Sequence, residues 1–159
     1  MNFQTWEGGN NVLQNIDMSN TLVNTLPLST FYYCTSLTSI TLPEGITSIE
    51  GNAFYGCTSL TSINLPEELT SIGNNAFIGC ESLTSITLPD SLTSIGESAF
   101  YFCTSLSLVT SLPTVPPSLG SGVFNGTHAN LAIKVPSQSV NAYKAATNWN
   151  TYASKISAI

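Results

Sequence analysis

The chain has 159 residues, of which 8% are charged: nine acidic residues and three lysines give a net charge of −6. A typical globular domain carries roughly 25% charged residues, so solubility here rests on hydroxyl and amide side chains. The acidic balance, with no arginine, lacks the cationic clusters that phosphate backbones require; this excludes nucleic acid and disfavours an anionic membrane surface.

The first segment, residues 1–12, opens as "MNFQTWEGGN". It has neither the basic n-region nor the apolar h-region of a signal peptide, and no later run approaches the ~20 apolar residues that span a bilayer. No membrane insertion is expected. Phe3, Trp6 and Val12 offer apolar cover to the coil that follows, so residues 1–12 read as an N-terminal cap.

From Leu13 the chain repeats. Three units align without gaps, Leu37–Ser59, Leu60–Ser82 and Leu83–Ser105, with a period of 23 residues. A looser unit, Leu13–Ser36, precedes them, another runs from Leu106 to near Asn130, and "LAIKVP" (Leu131–Pro136) repeats the strand portion alone. Self-similarity at a fixed period governs the fold, and 1–159 reads as one domain whose repeats occupy 13–136.

Each unit opens on a strand. Ile16, Ile40, Ile63, Ile86 and Val109 form one apolar column and Met18, Leu42, Leu65, Leu88 and Leu112 a second, alternating with polar neighbours as a strand with one buried face should. "LPEG", "LPEE" and "LPDS" then turn the chain, with proline presetting φ. A second inward pair follows at Ile46/Ile49, Leu69/Ile72 and Leu92/Ile95. Asn52, Asn75 and Ser98 are placed to cap a short helical turn "AFxxC". Its bulky members are Phe31, Phe54, Phe77 and Phe100, and Gly56 and Gly79 suit a left-handed exit. One unit has no second layer to bury these residues; stacked copies turn every column into a ladder, about 4.8 Å per rung, and close the core.

The pattern LxxIxLPxxLxxIgxxAFxxCxS resembles the BspA-like leucine-rich-repeat proteins over roughly residues 13–136. The tail from Val135 to Ile159 also looks like the C-terminal cap of bacterial members. The resemblance implies an α/β fold: a right-handed leucine-rich-repeat solenoid with a short-stranded parallel sheet, short helical turns opposite and a C-terminal helical cap. Within 137–159, Val140, Tyr143, Ala146, Trp149, Tyr152 and Ile156 lie at mostly helical spacing and are expected to shield the last strand. In the fifth unit the cysteine is replaced near Thr127 and "PTVPPSLGSG" breaks the register.

Cys34, Cys57, Cys80 and Cys103 share one column. A straight line of parallel side chains cannot converge on zinc tetrahedrally, and parallel Cβ vectors about a rung apart disfavour disulfides. These cysteines, with the four phenylalanines, read as structural filler in the core. His128, the one histidine, sits in the irregular loop "NGTHAN" with no cysteine beside it by register. Glu44, Glu67 and Asp90 form a ladder rather than a pair flanking a cleft. No phosphate-cradling glycine loop appears. No catalytic residue, metal ligand or cofactor is expected.

Two surfaces are candidate partner sites. Tyr32, Tyr55, Ile78 and Tyr101 share a column flanked by Tyr33 and Phe102; either the rings lie across the turn and shield the core, or they form an apolar strip of the kind found at interfaces. The sheet face carries Ser39, Thr41, Ser62, Asn64, Ser85 and Thr87; it is either a solvated sheet of hydroxyls or a polar platform. The resemblance implies a non-catalytic adhesion module of an extracellular or cell-surface bacterial protein, its export signal removed. The partner would be a host extracellular-matrix or other cell-surface protein; a glycan partner and a plain spacer are the alternatives. Low charge and the ring column also leave room for weak self-association.

Overall fold

The computed structural model describes residues 13–159; Phe3, Trp6 and Val12 lie outside them. In chain order the strands are β1 (Asn15–Asp17), β2 (Thr25–Leu26), β3 (Ser39–Thr41), β4 (Ser48–Ile49), β5 (Ser71–Ile72), β6 (Ser85–Leu88), β7 (Ser94–Ile95), β8 (Leu108–Ser111), β9 (Ser118–Leu119), β10 (Ala132–Val135) and β11 (Ile156–Ala158). One α-helix, α1 (Val140–Ala145), follows β10. Among the described residues every pairing is parallel, and all but that of β10 with the cap strand β11 join equivalent positions of successive repeats, for example Ile16 opposite Ile40 and Ile86 opposite Val109. The chain is a leucine-rich-repeat solenoid.

Each repeat contributes to two lines of strands. The second inward pair builds a five-stranded sheet in the order β2-β4-β5-β7-β9. Its turns pack so closely that a Cβ on Gly73, Gly96 or Gly120 would lie 2.5, 2.5 or 2.3 Å from the backbone of the preceding rung; only glycine fits there. The first strand of each repeat builds the other line, which is not continuous: β1 pairs with β3, and β6, β8, β10 and β11 form a separate four-stranded sheet. Between them the equivalent segment, residues 61–65, forms no strand.

Between the two lines runs the core. Phe31, Phe54, Phe77, Phe100 and Phe124 stack in sequence with ring centroids 5.3, 5.0, 5.1 and 5.7 Å apart and interplanar angles of 20° or less. Offset-stacked rings at this spacing add to plain area burial. Phe124 also settles the register of the fifth unit: it continues the column, and the Thr127 hydroxyl donates to its carbonyl at 2.8 Å.

The ring-bearing turns close with i→i+3 bonds, such as Tyr55 N–H to Asn52 O (3.1 Å) and Cys57 N–H to Phe54 O (3.2 Å). Asn52, Asn75 and Ser98 enter them with φ of 55°, 59° and 54°. That corrects the capping expectation. An N-cap residue has extended backbone, whereas these residues occupy the left-handed region, which asparagine tolerates better than most side chains.

A second correction concerns the strand column. Ser111, not Leu112, stands opposite Leu88. Ser111 is fully buried and its hydroxyl lies 2.9 Å from that of Tyr143, while Leu112 is 39% exposed. A buried serine is tolerated because the cap supplies its partner.

The C-terminal cap shields the last rungs through side-chain donors. Tyr143 Oη donates to Pro113 O (2.8 Å), Trp149 Nε1 to Pro117 O (2.8 Å) and Asn148 Nδ2 to Leu119 O (2.6 Å). The carbonyls of the proline-rich segment thus find partners in the cap, which hold it in register. After the helical part, β11 adds a strand beside β10, an element the helical spacing did not announce.

Candidate interaction surfaces

The ring column projects from the turns. Tyr33, Tyr101 and Phe102 are 43%, 36% and 51% exposed, and Tyr32, Tyr55 and Ile78 are half-buried. The structure groups them in two clusters. Tyr32, Tyr33 and Tyr55 pack with centroids 4.8, 5.0 and 5.3 Å apart, and Tyr101 and Phe102 lie 4.7 Å apart; Ile78 and Gly79 stand between. Burial pushes the Tyr55 phenol up, with Tyr33 beside it adding to the shift. Beneath the rings, Phe54, Phe77 and Phe100 have no exposure.

Tyr33 and Phe102 hold left-handed backbone, with φ of 55° and 58°, at the position where other repeats place Gly56, Gly79 and Gly126. A non-glycine residue there is strained by an amount on the order of 1 kcal/mol. Each ring lies over the glycine of the following rung. A Cβ on Gly56 would meet Tyr33 Cδ1 at 2.9 Å, and one on Gly126 would meet Phe102 Cδ2 at 3.2 Å.

On the sheet face, Ser39, Thr41, Ser62, Asn64, Ser85 and Thr87 are all exposed. They do not form one continuous sheet, because the Ser62–Asn64 rung is not hydrogen-bonded into a ladder. Among the described residues, no hydrogen bond from main chain or side chain is made by Ser62, Ile63, Asn64 or Leu65. Hollows of about 370 and 290 Å³ flank this rung, both bordered by Asn64, Leu65 and Glu67.

One surface escaped sequence reasoning. The five-stranded sheet floors an open groove of about 910 Å³ carrying the Ser48, Ser71, Ser94 and Ser118 column, with Glu50, Asn74 and Glu97 at its side. The recurring "TSI" triplet was its signal, since the serine before each buried isoleucine must face outward.

The cysteines are buried with free thiols. Three of them donate across the stack: Cys57 Sγ to Phe31 O (3.1 Å), Cys80 Sγ to Phe54 O (3.2 Å) and Cys103 Sγ to Phe77 O (3.1 Å). Burial pushes the Cys34, Cys57 and Cys80 thiols up, which suppresses the nucleophilic thiolate. His128 is exposed, and its Nδ1 accepts the Asn130 N–H at 3.2 Å. Glu44, Glu67 and Asp90 are exposed, and among the described residues no three His, Cys, Asp or Glu side chains converge on a metal position. No helix among them is long and apolar enough to cross a membrane.

The family model for the BspA type leucine rich repeat region matches residues 24–152 in six copies. No curated protein matches the chain. Among solved structures, the T. pallidum leucine rich repeat protein is 32% identical, with a TM-score of 0.60 over 70% of this chain and 61% of its own. A leucine-rich repeat protein from Bacteroides ovatus is 29% identical (TM-score 0.60, 92% of this chain and 42% of its own). A leucine rich cell surface protein from Faecalibacterium prausnitzii shares the fold at 24% identity (TM-score 0.66, 91% and 36%). The chain thus spans less than two thirds of the length of each. Its architecture is that of a repeat module whose extended faces suit macromolecular binding.

Proposed function

We propose, from the premise that the chain belongs to the BspA-type leucine-rich-repeat family, that it is a non-catalytic protein-binding module of a bacterial surface or secreted protein. Adhesion to host matrix or cell-surface proteins is the role that follows. The observation carrying this reading is the exposure of Tyr33, Tyr101 and Phe102 along one edge of a chain with only 8% charged residues. Exposed rings call for a partner, and aromatic side chains dominate interface hot spots. The cell-surface description of the Faecalibacterium relative supports the location.

The serine-lined groove with Asn74 and Glu97 favours a second reading, a carbohydrate-binding module, because sugar hydroxyls pair with hydroxyl, amide and carboxylate groups. Binding of the purified chain to matched arrays of matrix proteins and glycans separates the two. Retention on protein spots alone is the expected result. Retention on glycans alone would replace the first reading with the second, and silence on both would leave a spacer.

A further inference from the structure

We infer that the rung at residues 61–65 is a built-in point of flexure, at which the sheet face opens while the opposite wall of the solenoid stays closed. This goes beyond the binding role and holds whichever ligand the module takes. The outward residue of the central strand position is Thr41, Thr87 and Thr110 in three paired rungs, with Asp17 and Lys134 in the terminal ones, but Asn64 in the interrupted rung. Asparagine is depleted in strands, whereas β-branched threonine fits a half-buried pleated surface. The sheet is lost at that rung. Ser62–Leu65 bond to neither neighbour, and Leu65 is half-buried where Leu42 and Leu88 are buried.

The walls differ in kind. On the ring side, the same repeat (Leu60–Ser82) is tied to the previous one by Asn52 N–H to Asn74 O (3.0 Å), Phe54 N–H to Ala76 O (2.7 Å) and Gly56 N–H to Ile78 O (2.7 Å). It is tied to the next repeat by Asn75 N–H to Glu97 O (2.9 Å), Phe77 N–H to Ala99 O (2.8 Å) and Gly79 N–H to Tyr101 O (2.9 Å). The five-stranded sheet runs through unbroken, with Ser71 opposite Ser48 on one side and Ser94 on the other. On the sheet face, among the described residues, only the edge of the rung is joined, by the N–H and the hydroxyl of Thr61, both donating to Thr38 O at 3.3 Å. The hollows on either side both carry Asn64 and Glu67 and are large enough for water to satisfy the idle main-chain groups. Bending about the ring wall therefore breaks no direct hydrogen bond at Ser62–Leu65, while bending at β6–β8 or β8–β10 breaks ladder bonds.

Amide hydrogen exchange on the wild-type chain and on Asn64→Thr tests this. In the wild type, the Ile63 and Leu65 amides should exchange on the order of 100-fold faster than that of Val109, while Phe54 and Gly56 stay as slow as Phe100. Asn64→Thr should slow Ile63 and Leu65 and leave Phe54 unchanged. Ile63 and Leu65 as protected as Val109 would remove the open rung. Phe54 and Gly56 exchanging as fast as Ile63 would mean that the whole repeat unfolds, and would overturn flexure about a closed wall. No change in Asn64→Thr would overturn the role given to Asn64.

Discussion

The ring of Tyr33 rests on Gly56, close enough that a Cβ there would meet Cδ1 at 2.9 Å. The bare backbone of one rung is thus the seat for the side chain of the rung before it. Gly79 bears no such ring: the nearest atom to a Cβ there is Gly56 Cα at 3.9 Å. Both glycines have left-handed backbone, with φ of 72° and 68°, so alanine is strained alike at each. Gly56→Ala should therefore cost more than Gly79→Ala by about 1 kcal/mol or more, the added cost of unseating the ring. Urea denaturation of the two variants measures the difference. Equal losses would mean that the ring contributes nothing by resting there.

Phe77 is held between Phe54 and Phe100 with no exposed surface. Phe77→Ala removes stacking on both faces and leaves a cavity, so a loss of about 3–5 kcal/mol is expected. Phe31→Ala should cost less, since Phe54 is its one ring partner among the described residues. Denaturant midpoints for the pair would contradict the stacked core if their order were reversed.

The cysteine column should be silent to thiol reagents at neutral pH and report all four thiols once the chain is unfolded. The sign of the pH effect follows from burial, which raises the folded-state pKa of Cys34, Cys57 and Cys80. The unfolded chain ionises first as pH climbs, so stability is fully present below the ordinary thiol range and declines above it. A set of melts from pH 7 to 10.5, with Cys80→Ala alongside, checks this. A Tm in the wild type that stays flat across that alkaline range, or rises, would contradict it. Cys80→Ala should be folded and modestly weaker, losing the thiol's packing and its bond to Phe54 O.

At the cap, Tyr143→Phe leaves the buried Ser111 hydroxyl and the Pro113 carbonyl without the phenol. The expected loss is about 1–3 kcal/mol. Adding Ser111→Ala to that variant should recover part of it, because the orphaned hydroxyl is gone. A double variant as weak as the sum of the singles would show the two hydroxyls acting independently.

Much of this architecture was legible because each stacked column samples the same environment repeatedly. Ile40, Ile63 and Ile86, or Phe54 and Phe77, declare an inward face by recurrence alone. Positions that lie outside the recurrence were not legible. Ser111 depends on Tyr143, thirty-two residues away, and a one-residue insertion hides it behind Leu112. The broken ladder at Asn64 turns on one side chain whose column still looks polar. The left-handed backbone of Asn52 comes from turn geometry that a capping pattern imitates. Of the candidate surfaces, the ring column and the outward sheet residues could be placed by register. Which rings stand clear of the core could not, because Tyr33 is exposed and Tyr55 half-buried at neighbouring positions of the same edge.

The proposed protein-binding role rests on the exposed rings Tyr33, Tyr101 and Phe102. The most direct measurement is surface plasmon resonance against a matrix protein retained on the arrays. It would compare the wild type with a Tyr33→Ser/Tyr101→Ser/Phe102→Ser variant and a Ser39→Ala/Ser85→Ala/Thr87→Ala variant, each shown to be folded by circular dichroism. The account predicts that the first variant loses at least about tenfold in affinity, roughly 1.4 kcal/mol, and that the second binds like the wild type. Undiminished binding by the ring variant, with loss in the sheet-face variant, would contradict it.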